Sequence, residues 1–472
     1  MLELILLPQK LSAEKALPYV LHYDGWLSAG GGSLIALAES IFDMLASPII
    51  TPGRKPRADA AERRKLCSLT LVANLVMVAL SPVRYAGLAV PLRNGKLSRY
   101  DRKDFNADVL RLVIEEAENA SLVSVQEAVF KERRTVVAPS SRFRQLVAAH
   151  GVSLADIHHL EGRETIELWA GSRRSGHKTP VDYVGSREAD VMRDQMAKIN
   201  EVLNAADICL DGQQTGPIHL VRKFRIEQPE DVHAFDRHGR LYGGFWEDLP
   251  KDQRHLLTIG GEPVVDLDFA SMFIHLAYCR LGAEAPTGDL YAIPGLEEHR
   301  KAVKSLMVSL FFRNVAARRL PIGSKETLPS GWTMERFKAA ASAHHPAIAS
   351  LFDTNVGFQL MAVESEILVG ILLELGSKGV AALPMHDGVM VAASQKELAI
   401  ETMLNVSAAK VGRSLPVVEK SIERPSPNNS PLWSSRTGSE GEAFLARPHH
   451  HLLLGERPEA TQSNLGGVSQ SD

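Results

Sequence analysis

The segment Val380–Ala392 reads VAALPMHDGVMVA, and no other stretch restricts the fold as much. Val380 to Met385 is apolar on both alternating faces. His386-Asp387-Gly388 follows, and Val389 to Ala392 is apolar again. Two apolar runs around an Asp-Gly pair form a β-hairpin signal, and runs buried on both faces belong inside a sheet. The spacing therefore predicts a hairpin in a sheet core, with Asp387 at its tip. By itself the carboxylate needs no purpose beyond the turn.

A second segment has the same character. In GEPVVDLDFASMFIHLAYCRLG, Gly260–Gly261 predicts a turn, Val264 and Val265 a strand, and Met272, Ile274, His275 and Leu276 a helix. Asp266 and Asp268 fall on one face of that strand, at its end. One could cap the helix while the other is solvated. A hard cation such as Mg²⁺ would also suit a carboxylate at such a junction.

Between the two lies HRKAVKSLMVSLFFRNVAARRLP. Arg300, Lys304, Val308 and Phe312 are spaced by four, so on a helix they form one ridge of two cations, an apolar step and a ring. Such a ridge is either the wet face of an amphipathic helix or a grip for a polyphosphate beside a base.

Taken in order, these segments resemble the conserved motifs of family A DNA polymerases, a superfamily shared with single-subunit, phage-type RNA polymerases. Asp268-Phe269-Ala270-Ser271 resembles motif A, which typically reads Asp-Tyr-Ser. The Arg300/Lys304/Val308/Phe312 ridge resembles motif B, without its usual glycine after the ring. His386-Asp387-Gly388 resembles motif C, which reads His-Asp-Glu in the DNA enzymes and His-Asp-Ser in the RNA enzymes. Upstream, GRLYGGFWEDLPKDQR resembles the primer–template stretch through Gly239, Arg240, Leu241, Leu249, Pro250 and Arg254. A Gly-Arg-x-Tyr reading of Gly239–Tyr242 fits the RNA enzymes equally. Gln359 and Glu364, with Leu360 for a glycine, resemble the family's Gln helix.

The resemblance implies an α+β fold: a polymerase right-hand palm with small fingers over 239–423. It implies Asp268 and Asp387 as catalytic ligands of two Mg²⁺ ions, or Mn²⁺ in their place, about 3.5–4 Å apart. Arg300 and Lys304 would bind the triphosphate, with Val308, Phe312 and Phe273 around the nucleotide. Arg240, Arg254, Gln359 and His386 would contact primer–template DNA. Phe273, five positions after Asp268, stands where the family keeps its sugar gate. A phenyl ring there would exclude a 2′ hydroxyl, and the Phe312 ring carries no phenol to bond one. These features favour deoxynucleoside triphosphates, whereas the missing third carboxylate looks more like the RNA enzymes.

The remainder is less specific. A chain of 472 residues suggests two to four structural units. A net charge of −3 excludes a uniformly basic DNA-coating protein, so any grip on nucleic acid is local. Residues 1–60 suggest no role, although a helix is expected over Ser33–Leu45 after Gly30–Gly32. Residues 61–165 read as a mostly helical, winged-helix-like DNA-binding region. There DFNADVLRLVIEEAENA is an amphipathic helix, LVSVQEAVF and the run after KERR a hairpin, and SSRFRQLVAAHG a second helix. Lys131, Arg133 and Arg134 would sit on the wing near phosphates; the same tip could be an exposed basic hairpin without a ligand. Residues 166–238 read as a thumb-like or connecting region, whose helix at 185–206 carries Val191, Met192, Met196, Ile199 and Leu203 on one face. Residues 424–472 are expected to be disordered, and the His run at 449–451 adventitious.

Cys67, Cys209 and Cys279 lack ligand spacing, and the apolar run Cys67–Ser81 contains Asn74 and is too short to span a bilayer. A cytoplasmic setting without a membrane is expected, as is a polymerase without proofreading, in replication or repair. Two alternatives stay open: a single-subunit RNA polymerase or primase, and a non-catalytic DNA-binding replication initiator.

Overall fold

The computed structural model describes residues 20–45, 59–92, 98–128, 134–171, 178–316, 319–321 and 327–423. Lys131, Arg133, the TPGRKPR break, the 424–472 tail and its His run lie outside the described residues. The fold mixes helices with four sheets.

The N-terminal portion begins with β1 (Val20–His22) and β2 (Leu27–Ala29), followed by α1 (Gly32–Leu45) and α2 (Ala60–Leu80). Helix α2 is the expected buried helix. Asn74 is satisfied inside it, because its amide accepts from Asp24 N and donates to Asp24 O and Thr70 O. Next come β3 (Gly87–Ala89), α3 (Ala107–Asn119), β4 (Val123–Gln126), β5 (Val136–Pro139), α4 (Ser141–Ala149) and β6 (Ile157–His159). Asn106 caps α3 and Ser140 caps α4, each through its side-chain oxygen. The helix–hairpin–helix order at 104–150 is present, but the hairpin is not a free wing. β5 also pairs with β3, and β3 with β1, in a four-stranded sheet β1-β3-β5-β4. Local pattern could not reveal this, since β1 and β3 come from distant sequence. The helices and this sheet share a core around Leu34, Leu71, Leu88, Leu110 and Val137.

A second, larger core runs from Ile166 to Leu415. It begins with β7 (Ile166–Ala170), β8 (Thr179–Pro180) and α5 (Arg187–Ala205). On α5, Met192, Met196, Ile199 and Leu203 are buried as expected, but Val191 is half exposed. The inward positions around it are Ala189 and Asn200 instead. The Asn200 amide pairs with both backbone groups of Leu220, as Asn204 does with Ile218, fixing the helix to the following chain.

Next come β9 (Ile208–Leu210), β10 (Gln213–Gln214), β11 (Val221–Ile226), β12 (His238–Tyr242), β13 (Leu257–Ile259) and β14 (Glu262–Phe269). They are followed by α6 (Met272–Arg280), α7 (Arg300–Phe311), α8 (Met334–His344), α9 (Gly357–Ser377), β15 (Ala382–Met385), β16 (Gly388–Ala392), α10 (Lys396–Val411) and β17 (Val417–Lys420). The central sheet runs β10-β9-β13-β14-β16-β15, and β17 pairs with β14. Gly260 and Gly261, both with positive φ, turn β13 into β14. β14 is thus flanked along its length, by β16 on one side and by β13 and then β17 on the other. The apolar helix α9 packs against β12, α6, α10 and α5, covering the sheet. Among the described residues, no helix is long and apolar enough to cross a membrane.

Candidate active site

The end of β14 and the β15–β16 turn meet. Asp268 lies opposite Gly388 in the β14–β16 register, and the Phe269 amide donates to the Asp387 carbonyl at 3.4 Å. The two carboxyl groups are close enough for the charge of Asp387 to act on Asp268. Asp268 is 5% exposed, and Asp387 is half-buried. Burial, and next the charge of Asp387, push the Asp268 carboxyl well above the usual range; the Lys420 ammonium beside it pulls the other way.

The hairpin turn is not built as its sequence suggests. Met385 pairs with Gly388, so the two turn residues are His386 and Asp387, and the positive φ (59°) falls on His386. Gly388 belongs to the strand, where it serves close approach. A Cβ at that position would lie 2.2 Å from the Leu267 carbonyl oxygen, 2.9 Å from Asp268 Oδ1 and 3.0 Å from Asp268 Cα. A glutamate cannot stand there unless β14 moves.

Around the pair lie five further charged groups. Lys420, on β17 opposite Asp266, contacts Asp268 Oδ2. Asp266, raised by burial and steadied by Lys420 and Arg254, is 3.6 Å from Arg254. Arg240, on β12, donates to Glu364 on α9 at 2.7 Å, so the Gly-Arg-Leu stretch and the Gln helix join beside the hairpin. Glu364 is fully buried, which pushes its carboxyl up to about 7 against the pull of Arg240.

The ridge residues Arg300, Lys304 and Val308 lie on α7 and Phe312 just beyond it. Lys304 is exposed, Val308 half-buried, and Phe312 caps the helix. Arg300 is engaged in two bonds with Asp289, at 2.6 and 2.9 Å, and lies 5.2 Å over the Tyr291 ring. Burial raises the Tyr291 phenol, and the nearby charge of Asp387 adds to that. At the other end of α7, the Phe312 ring meets Phe273 at 5.5 Å and Phe358 at 5.0 Å. It lies over Gly357, where a Cβ would come within 2.7 Å of it. Gln359 is set aside by a bond to Arg280. Arg134 is exposed, and His386 is exposed at the hairpin tip.

Asp268 Oδ1 is buried and has no hydrogen-bond partner, and Glu364 Oε2 is in the same position. A buried, orphaned oxygen on a carboxylate that feels the charge of a second carboxylate fits a hard cation that takes one or two protein oxygens and completes its shell with water and phosphate. Among the described residues there is no cluster of three or more potential metal ligands. Sequence reading missed Lys420, whose only local signal was the β-prone run LPVVEK after the Gly412 helix stop.

No family model and no curated protein matches the chain. Among solved structures it is similar to the polymerase domain of Pol1 from M. smegmatis, in complex with DNA primer–template and dNTP. The identity is 11%, covering 84% of this chain and 67% of that one, at a TM-score of 0.30.

Proposed function

We propose that this chain is a template-directed DNA polymerase that extends a primer 3′ end with dNTPs, its palm built on β14–β17 and its fingers on α7. The observation that carries the reading is the meeting of Asp268 and Asp387 at adjoining strand ends, with an orphaned carboxylate oxygen between β14 and β16. Its residue-by-residue support is the α7 ridge, tied to the helix that follows Asp268 through Phe312–Phe273.

In the proposed reaction the primer 3′ oxygen attacks the α-phosphorus of the dNTP. A new P–O bond forms as the bond to the bridging oxygen breaks, pyrophosphate leaves, and the hydroxyl proton passes to water. Bound Mg²⁺, or Mn²⁺, would be held by Asp268 and Asp387 and would supply polarisation of the attacking hydroxyl and neutralisation of the leaving charge. Lys304 and Arg300 bind the triphosphate electrostatically, Arg300 after exchanging Asp289 for phosphate. Phe273, fixed against Phe312, leaves no room beside the sugar C2′ for a hydroxyl. Arg240, fixed by Glu364, keeps a positive charge beside Asp387 and the primer end.

The glycine at 388 favours a second reading, an RNA-synthesising enzyme of the same superfamily. One experiment decides between them: extension of a labelled primer with Mg²⁺ and either dNTPs or rNTPs, for wild type and Asp387→Ala. Extension with dNTPs that disappears in Asp387→Ala supports the proposal. Preference for rNTPs establishes the second reading, and DNA binding without extension refutes both in favour of an initiator.

A further inference from the structure

Arg222, on β11, is 3% exposed, yet among the described residues no carboxylate bonds to it. Its Nε donates to the Gly239 carbonyl at 2.9 Å and to Ser365 Oγ at 3.2 Å. Its guanidinium carbon lies 4.8 Å over the Phe224 ring. Among the described residues, only Nε of the five-donor group bonds to protein atoms, and the Nη end is left over.

Arg222 is among the residues that line a cavity of about 460 Å³. Its walls are Val191 and Met192 on α5, Phe235, and Val369 and Gly370 on α9. At the rim Glu366 is already paired with Lys410, and Arg187 stands next to Glu188. The rim charges therefore cancel, and Arg222 is the charge left to be matched. Burial lowers its affinity for the proton, with Glu366 and Glu188 giving only distant relief. Val191 stands half exposed at the mouth, although the helical pattern of α5 would turn it inward.

A buried guanidinium with an unbonded Nη end, lining a partly apolar cavity, is suited to an oxyanion, which accepts two parallel N–H bonds. The volume is that of a small-molecule site. We propose that this cavity binds a small organic oxyanion, a carboxylate or a phosphate monoester with an apolar body, held by Arg222 and enclosed by Val191, Met192 and Val369. The carboxylates Asp268 and Asp387 take no part in it.

The test is calorimetric titration of the full chain in EDTA with benzoate, phenyl phosphate and the neutral analogue benzamide. We expect wild type to bind at least one of the two anions, with benzamide about tenfold weaker or more, the value of one charge-assisted pair. The preferred anion assigns the headgroup. Arg222→Met should abolish the preference for an anion. Val191→Trp, which closes the mouth without touching Arg222, should abolish binding and decides the matter if Arg222→Met does not fold. Asp268→Asn should bind as wild type does. The proposal is overturned by no heat from either anion, by equal affinity for benzamide, by unchanged binding in Val191→Trp, or by loss in Asp268→Asn.

Discussion

Substituting alanine for Gly388 tests why this hairpin has no third carboxylate. The backbone there is not left-handed, so alanine costs nothing in φ. If the glycine served only the turn, Gly388→Ala would change stability by about 1 kcal/mol or less. The structure demands more. The added Cβ would lie 2.2 Å from the Leu267 carbonyl oxygen, against an ordinary C···O contact of about 3.3 Å. β14 and β16 would have to part by roughly 1 Å along a ladder that runs from Val264↔Ala392 to Asp268↔Gly388. Overpacking that moves backbone costs about 1–3 kcal/mol, and more where, as here, two strands in mid-sheet must shift. The same displacement separates Asp268 from Asp387, and a misplacement of about 1 Å can cost roughly a hundredfold in rate. Urea unfolding should therefore give a lower midpoint at unchanged m-value, and primer extension a loss of one to two orders of magnitude. Gly388→Glu should be worse than alanine on both counts. A Gly388→Ala protein with wild-type midpoint and rate would refute the steric argument, as would a Gly388→Glu protein that binds Mg²⁺ more tightly and extends faster.

In the metal-free protein Asp268→Asn should raise stability at pH 8 while abolishing extension. The folded carboxyl titrates above its ordinary 3.8, so its contribution is lost as pH rises from about 4 towards 8. The gain should be present at pH 8 and should vanish at pH 4, read as thermal midpoints in EDTA. Phe273→Gly should raise the ratio of rNTP to dNTP incorporation at least tenfold, and single-nucleotide kinetics would expose a gate that lies elsewhere. Arg240→Ala should cost about 3–5 kcal/mol because it strands Glu364, with much of that recovered in Arg240→Ala/Glu364→Gln; a double-mutant cycle without coupling would count against the pair.

The parts of the molecule legible in the sequence are those set by short-range periodicity. Helix α2, the strand ending at Asp268 and the apolar hairpin each follow from residues within a few turns of one another. What stayed hidden depends on distant chain. The hairpin at 123–139 reads as a wing only while β1 and β3 are unknown. Val191 has the spacing of a core residue, but the chain places a cavity there rather than a packing partner. Gly388 reads as a turn glycine because nothing local announces the Leu267 carbonyl above it. Lys420 is an ordinary lysine in a β-prone run until β17 sets it against Asp268.

The position of β17 also has a consequence in time. β14 is made well before β17, yet β17 completes its C-terminal half from Asp266 to Phe269. On a translating ribosome the Asp268 strand emerges, its hairpin partner follows later, and Lys420 arrives last of the three. Until then the strand has an open edge at its most acidic end, and the two carboxylates have no lysine beside them. Late closure of this kind joins the shape of the centre and part of its charge balance in one event, so a nascent chain halted before residue 417 would carry the carboxylate pair on the β14–β16 ladder with one edge open and no lysine beside it.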